Sequence, residues 1–281
     1  MNLYTINTGH FKLDGGAMFG VVPKSIWNRI NPADENNMCS WAMRCLLIQD
    51  GKKLILIDNG MGDKQDAKFF SYYYLHGNDT LQGSLAKHGF TVDDITDVFL
   101  SHLHFDHCGG SIKWNADRTA FEPVFKNATY HIHEAHWHEA LHPNVREKAS
   151  FLKENILPIQ ECGHLNLFGD GFSVHPNVDF TLSMGHTNSM VIPHIHYKDK
   201  TIAFMADLIP SAGHIPPNYV MGYDVRPLDT MRERTEFLNR AADEKTILFF
   251  EHDPVIECAT VVRTERGFKV ENTFALSDIT G

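Results

Sequence analysis

The sequence predicts an α/β fold of two βαβ-like halves, sheet packed on sheet with helices outside. Three observations predict it. Short apolar, β-branched runs alternate with helical stretches, and the order of elements restarts after FLKENILPIQ (151–160), so the chain reads as two halves of similar plan. The densest polar chemistry, SHLHFDHCGG (101–110), follows directly on a strand-like run, where α/β proteins carry their sites.

The first half contains the strand-like runs MRCLLIQ (43–49) and KLILIDNG (53–60), a helical TLQGSLAKHGF (80–90) and the strand ITDVFLSH (95–102). ATYHIH (128–133) then runs into a helical EAHWHEALH (134–142). In the second half come GFSVHP (171–176), VDFTLSMGH (178–186), MVIPHIHY (190–197) and TIAFMADL (201–208), all read as strands. A polar helix around LDTMRERTEFLNRAADE (228–244), the strand TILFFEHD (246–253) and a hairpin in ECATVVRTERGFKV (257–270) complete it. No linker or low-complexity segment divides the chain, so residues 1–281 are expected to form a single domain.

A hydrophobic fraction of 43% is ample for a core, and a formal charge of −10 argues against a nucleic-acid partner, whose phosphates need a surplus of Lys and Arg. No apolar run approaches the ~18 residues of a membrane span. The five cysteines form no C-x-x-C pair, and the N-terminus MNLYTINTGHFKLDGG lacks a basic-then-apolar signal pattern, which together predict reduced thiols in a cytoplasm. Cys108, beside the histidines, reads as a small buried residue rather than a ligand.

Four strand-like runs far apart in sequence end in a candidate metal ligand: His102, His186, Asp207 and His252. In an extended segment His102 and His104 point to one side and can grip one ion, while Asp106 and His107, past the strand, can grip a second. Adding His186 to the first ion and His252 to the second gives each three ligands, with Asp207 able to bridge them. Thiolates, the usual ligands of closed structural zinc sites, are absent from this set, and an open position for water suits catalysis. Two ions about 3.5 to 4 Å apart can share a hydroxide of pKa near 7 and polarise what it attacks. Gly109 and Gly110 are expected to let the backbone turn tightly away. The second histidine-rich tract, HIHEAHWHEALH (131–142), splits between strand and helix and is expected to be a solvated face or a pocket mouth. His194 and His196 alternate on a strand with no carboxylate evident nearby.

HLHFDH together with His186, Asp207 and His252 resembles the metallo-β-lactamase superfamily, whose fold is an αβ/βα sandwich of two central β-sheets flanked by helices around a dinuclear metal centre. True β-lactamases of this fold often place Cys where Asp207 stands, so the resemblance implies the branches of glyoxalase II-like thioesterases, tRNA 3′-processing nucleases and lactonases. By the same resemblance, Asp58 in LIDNG orients a metal-bound histidine. DGGAMFGVVPKSIW (14–27) and ADLIPSAGHIP (206–216) look like the quorum-quenching N-acyl-homoserine lactonase branch, close to the YtnP-like lactonases and related to methyl parathion hydrolases. The best-known lactonases carry a tyrosine three residues after the bridging Asp; Pro210 stands there, and Tyr219 or Tyr223 takes its place or nothing does.

The resemblance implies a metal-dependent hydrolase holding two divalent ions, zinc or else iron, manganese or cobalt. The bridging hydroxide would open the lactone ring of an N-acyl-homoserine lactone, Asp106 or a metal-bound water would protonate the leaving alkoxide, and Tyr223 is the candidate donor to the carbonyl oxygen. FFSYYYLH (69–76), with Met18 and Phe19, would line the acyl pocket or pack a helix on the sheet, and FGVVPK (19–24) could equally be a homodimer arm. The rivals are an organophosphate triesterase, a glyoxalase II-like thioesterase, for which the tail RTERGFKVENTFALSDITG is thin, and a metal-binding scaffold without catalysis.

Overall fold

A computed structural model describes residues 1–280, which divide into two compact units: residues 1–9 with 43–174, and residues 10–42 with those from His175 onward. Among the described residues no helix is long and apolar enough to cross a membrane, and none of the five cysteines is in a disulfide.

The first six-stranded sheet runs β1 (Asn2–Asp14), β2 (Met38–Asp50), β3 (Lys53–Ile57), β4 (Asp97–Phe99), β5 (Thr129–His133), β6 (Leu165–Phe168) in that order. β2 and β3 pair antiparallel, and Asp50 opposite Lys53 leaves only Gly51 and Lys52 for the turn. From β3 to β6 every pairing is parallel, so each connection must cross over, and helices supply the crossovers. They are α1 (Ala67–Tyr73), α2 (Leu81–Lys87), the short α3 (Phe105–Cys108), α4 (Glu134–Leu141) and α5 (Lys153–Glu161). Leu54 and Leu56 join a core with Leu85, Val98, Leu103, Tyr130 and Ile156, while Ile55 and Ile57 on the opposite face are equally buried. Burial on both faces is why LILI is continuous rather than alternating.

The second sheet runs β7 (Val178–Ser183), β8 (Met190–Tyr197), β9 (Lys200–Phe204), β10 (Ile247–Phe249), β11 (Cys258–Thr264), β12 (Gly267–Phe274). Its one parallel pair, β9 with β10, is bridged by α6 (Pro227–Glu244), which starts with Pro in its first turn and ends at Lys245 in the left-handed region (φ 57°). The remaining pairs are antiparallel. GFSVHP is not a strand: residues 171–176 are turn and bend, with His175 making an isolated bridge to Val178. β1 is a strand that the apolar pattern does not announce, because its buried positions, Leu3, Ile6, Gly9 and Phe11, do not alternate.

Four candidate ligands stand at the same offset from their strands. β4 ends at 99 and His102 follows by three; β7 ends at 183 before His186, β9 at 204 before Asp207, and β10 at 249 before His252. Each donor therefore sits on the loop beyond a strand's C-terminal end.

The glycine pair after the histidines serves room rather than rotation. Gly109 has an ordinary helical φ of −61°, but a Cβ on it would lie 2.1 Å from the Met61 carbonyl oxygen, and one on Gly110 would lie 2.2 Å from that of Asn59. The loop after β3 runs against this turn, with the Asn59 N–H donating to the His107 carbonyl and the Gly110 N–H to the Gly60 carbonyl, both at 2.9 Å. Backbone on both sides leaves nothing soft to yield. Gly109→Ala should therefore cost about 1–3 kcal/mol in equilibrium urea unfolding, whereas Gly169→Ala, where a Cβ meets open space, should stay within about 0.5 kcal/mol. Equal midpoints for the two variants would refute the close-approach account.

Candidate metal-binding site

In the first unit β3 and β4 end side by side, and the donors gather just beyond them. Asp58 follows β3 in the left-handed region (φ 55°) and turns its carboxylate across to the next loop. Its Oδ1 accepts the Ser101 N–H at 2.8 Å, its Oδ2 accepts the Ser101 hydroxyl at 2.5 Å, and the same oxygen lies 3.1 Å from His107 Nδ1. The Ser101 hydroxyl also lies 3.0 Å from His102 Nδ1, so one carboxylate orients two imidazoles, one directly and one through a serine.

The other ring nitrogens point toward each other. His102 Nε2 and His104 Nδ1 are 3.1 Å apart, close to the edge of about 3.3 Å that two nitrogens span on a tetrahedral ion with bonds of about 2.0–2.1 Å. Asp106 and His107 sit on α3, with His107 Nε2 3.8 Å from Asp106 Oδ2. His104 Nε2, on the far side of its ring, is 4.0 Å from the buried Glu147 carboxylate. All four residues are buried.

In the second unit Asp207 is the centre. Its Oδ2 lies 3.0 Å from His186 Nε2 and its Oδ1 3.2 Å from His252 Nε2, so each carboxylate oxygen faces a different imidazole. The outer nitrogens are fixed as in the first unit: His186 Nδ1 donates to Asp224 at 3.0 Å and His252 Nδ1 to the Ala42 carbonyl at 2.7 Å. Asp224 is itself held by the Met221 N–H at 2.9 Å. Burial alone would depress His186, yet Asp207 and Asp224 push it up to about 10. The surroundings of that imidazole thus favour a positive charge.

These residues fit divalent metal ions. The donors are imidazole and carboxylate, and each of the five imidazoles presents one nitrogen to another candidate ligand; the second nitrogens of His102, His107, His186 and His252 lie within 3.1 Å of an oxygen of Ser101, Asp58, Asp224 and Ala42, while that of His104 faces Glu147 at 4.0 Å, beyond hydrogen-bond range. Metal-bound histidines are held in this way, the second nitrogen setting tautomer and ring orientation. His186 with Asp207, and His102 with His104, are buried, and the set suits zinc, iron, manganese or cobalt.

Other sequence expectations fare unevenly. The tract 131–142 is not a solvated face through its first half: His131 is buried against Asp97 at 2.8 Å, His133 is buried, and His136 Nε2 accepts the Leu103 N–H at 2.8 Å, leaving only His138 and His142 exposed. His196 does have a carboxylate, Asp179, at 2.8 Å on the surface. Cys108 is fully buried, and burial pushes its thiol up to about 12.

Met18 and Phe19 are core, Phe19 stacking on His214 at 4.5 Å and on Trp27 at 5.5 Å. Phe69 and Tyr73 of α1 pack on Phe105 at 5.4 and 4.8 Å, next to Asp106, while Tyr72 and Tyr74 face solvent. Burial, with Asp106 nearby, pushes the Tyr73 phenol up to about 12, so it stays protonated. Tyr223 is 37% exposed and precedes Asp224, Tyr219 gives its carbonyl to Arg234, and the Pro210 carbonyl accepts the His252 N–H at 3.0 Å. Asp224, Glu147 and His136 are not legible as support for the ligands, since nothing in their spacing relates them to the motif, and Ser101, though it adjoins His102, carries no signal of that role.

Comparison with known proteins places this geometry. An N-acyl homoserine lactonase of Bacillus thuringiensis is 25% identical over 275 residues, covering 89% of this chain and 92% of its own, and one from a Bacillus species is 25% identical over 287 residues, covering 95% and 96%. A probable metal-dependent hydrolase from Staphylococcus aureus superposes with a TM-score of 0.88 at 28% identity over 97% of this chain and 96% of its own. The fold is shared as well by a dizinc quorum-quenching lactonase in complex with a product, at a TM-score of 0.76 and 24% identity over 95% and 92% of the two chains. The family model described as the metallo-β-lactamase superfamily matches residues 44–252, a span holding all seven candidate ligands, and the chain accordingly belongs to that superfamily and is a metal-dependent hydrolase of its α/β fold.

Proposed function

We propose that this protein is a dinuclear lactonase that opens the ring of N-acyl-homoserine lactones, with residues 1–281 acting as one catalytic domain. The observation that carries the reading is the Asp207 carboxylate, whose two oxygens face two different imidazoles. A carboxylate disposed in that way suits a bridge between two ions. His102, His104 and His186 are assigned to one ion and Asp106, His107 and His252 to the other. The relatives named as lactonases support the choice of substrate.

When bound, two divalent ions lower the pKa of water to about 7 and polarise an ester carbonyl. The protein's own groups carry the rest. Ring opening breaks the bond between the acyl carbon and the ring oxygen, and the departing alkoxide needs a proton. Asp106 is assigned to hold that proton at its carboxylate and release it, a role that contributes about 10²–10⁴-fold where geometry is good. Tyr223, on the turn that also presents Asp224, is assigned to donate its phenol to the carbonyl oxygen as charge gathers there. Phe69, Tyr73 and Phe105 form a buried or half-buried aromatic wall beside Asp106, suited to an acyl chain.

Three measurements test this. Elemental analysis of protein purified without chelator should give about two ions per chain, as a centre with a bridging carboxylate requires; one or fewer, unchanged after adding zinc or manganese, would remove the dinuclear site. In a pH-stat assay kcat/KM for acyl-homoserine lactones should exceed that for paraoxon-type triesters and S-lactoylglutathione, and a tenfold advantage to either rival would reassign the substrate. Tyr223→Phe should lower kcat/KM at least tenfold, about 1.4 kcal/mol, at an unchanged melting temperature; equal kcat/KM would leave the metals as sole electrophile.

A further inference from the structure

We infer that the segment from His136 to Phe151, outside the ligand motif, is a clamp that positions His102 and His104, with His136 and Glu147 as its positioning residues. The need for a clamp follows from the local backbone. The Leu100 N–H still donates to the His131 carbonyl of the neighbouring strand at 3.1 Å, but Ser101–His104 has neither helix nor strand structure, and its buried Ser101 N–H turns to the Asp58 side chain. A buried donor left unsatisfied is destabilising. The Leu103 N–H, between the two ligands, donates to His136 Nε2 at 2.8 Å. That bond fixes the His136 tautomer, since the accepting nitrogen carries no proton.

The same segment grips His104 from other directions. Glu147 Oε1 lies 4.0 Å from His104 Nε2, the Phe151 ring is 4.8 Å from the His104 ring and 5.7 Å from that of His136, and the Ser150 carbonyl accepts the Phe105 N–H at 3.1 Å. The His136 ring stands 6.1 Å from that of His102, nearly at right angles. Glu147 is steadied in turn by Asn144, whose amide donates to its carboxylate and whose Oδ1 accepts the N–H groups of Arg146 and Glu147 at 2.9 and 3.2 Å. His107, by contrast, is oriented by Asp58. His102, through Ser101, shares Asp58 with His107, while His104 faces the clamp alone, so loosening the clamp should loosen the ion that His104 holds more than the other.

This inference rests on the dinuclear reading, and metal release separates the two. Metal-loaded wild type, His136→Leu, His136→Gln, Glu147→Ala and Glu147→Gln are dialysed against EDTA, and the metal left on each chain is followed with time. Outer partners of metal ligands typically contribute about 10–100-fold in affinity. His136→Leu and Glu147→Ala should release one ion at least tenfold faster than wild type while the second leaves at the wild-type rate. His136→Gln, whose amide oxygen can accept the Leu103 N–H, should restore retention to within about threefold.

Wild-type release rates in both His136→Leu and Glu147→Ala would overturn the clamp, as would a fall in the melting temperature of the metal-free variants with release unchanged. If His136→Leu does not fold, the two Glu147 variants decide alone: equal release from Glu147→Ala, Glu147→Gln and wild type refutes the role. A wild type that never holds more than one ion refutes the dinuclear reading instead, and the clamp is then judged on that ion's release.

Discussion

Asp207 is a buried carboxylate with a histidine on each oxygen, and much of the second unit's design follows from keeping it there. An ionised carboxylate taken out of water is costly unless charge and hydrogen bonds compensate it. His186 and His252 supply that compensation, and each then needs its outer nitrogen satisfied, which Asp224 and the Ala42 carbonyl do. Asp224 in turn draws the Met221 N–H into the network. A site for cations is thus specified by a chain of obligations running outward from one side chain, and a half-satisfied network of this kind would destabilise more than an apolar core.

The repeated offset of three residues between strand end and ligand gives this network its rigidity. A strand fixes position, but its side chains alternate between faces, so a donor still on the strand would be committed to one face. Three residues past the last paired position the chain has left the sheet and can aim a ring along the strand direction, while the sheet still holds it within a short lever. Most of the donors can be found from sequence for this reason: DVF, TLS, IAF and ILF lie in runs that read as strands, and three residues beyond them stand His102, His186, Asp207 and His252. The helices over 80–90, 134–142 and 228–244 and the H-x-H-x-D-H cluster are legible in the same way, whereas the strand Leu165–Phe168 and the crossover helices Phe105–Cys108 and Lys153–Glu161 are not.

What was illegible depends on contacts that no periodicity encodes. Asp224 is 38 residues from the histidine it orients, and it lies in a loop where an acidic residue is unremarkable. His136 looked like one of several histidines on an exposed helix because the tract HIHEAHWHEALH mixes buried and exposed positions. GFSVHP is not a strand because apolar content alone does not make a ladder, and β1 is the converse case, a paired strand without alternating burial. At Gly109 and Gly110 the requirement for glycine comes not from a tight turn but from the backbone of residues 59–61, distant in sequence, pressing against them.

Backbone strain marks the same places. Asp58 and Ala206 both take positive φ, 55° and 42°, just beyond β3 and β9. A non-glycine residue in that region costs on the order of 1–3 kcal/mol, and it persists only where the surroundings over-determine it. Around Ala206 they do: the Met205 N–H donates to the Phe249 carbonyl at 3.0 Å and the Leu208 N–H returns to the Met205 carbonyl at 3.1 Å, so the turn is pinned on both sides of Asp207. Glycine at 206 would relieve the strain and also widen the range over which Asp207 could swing. At Asp58 no such exchange is open, because the residue that bears the strain is also the one whose carboxylate holds Ser101 and His107. Strain and function coincide there: the residue held in a left-handed turn is the one whose carboxylate reaches both partners.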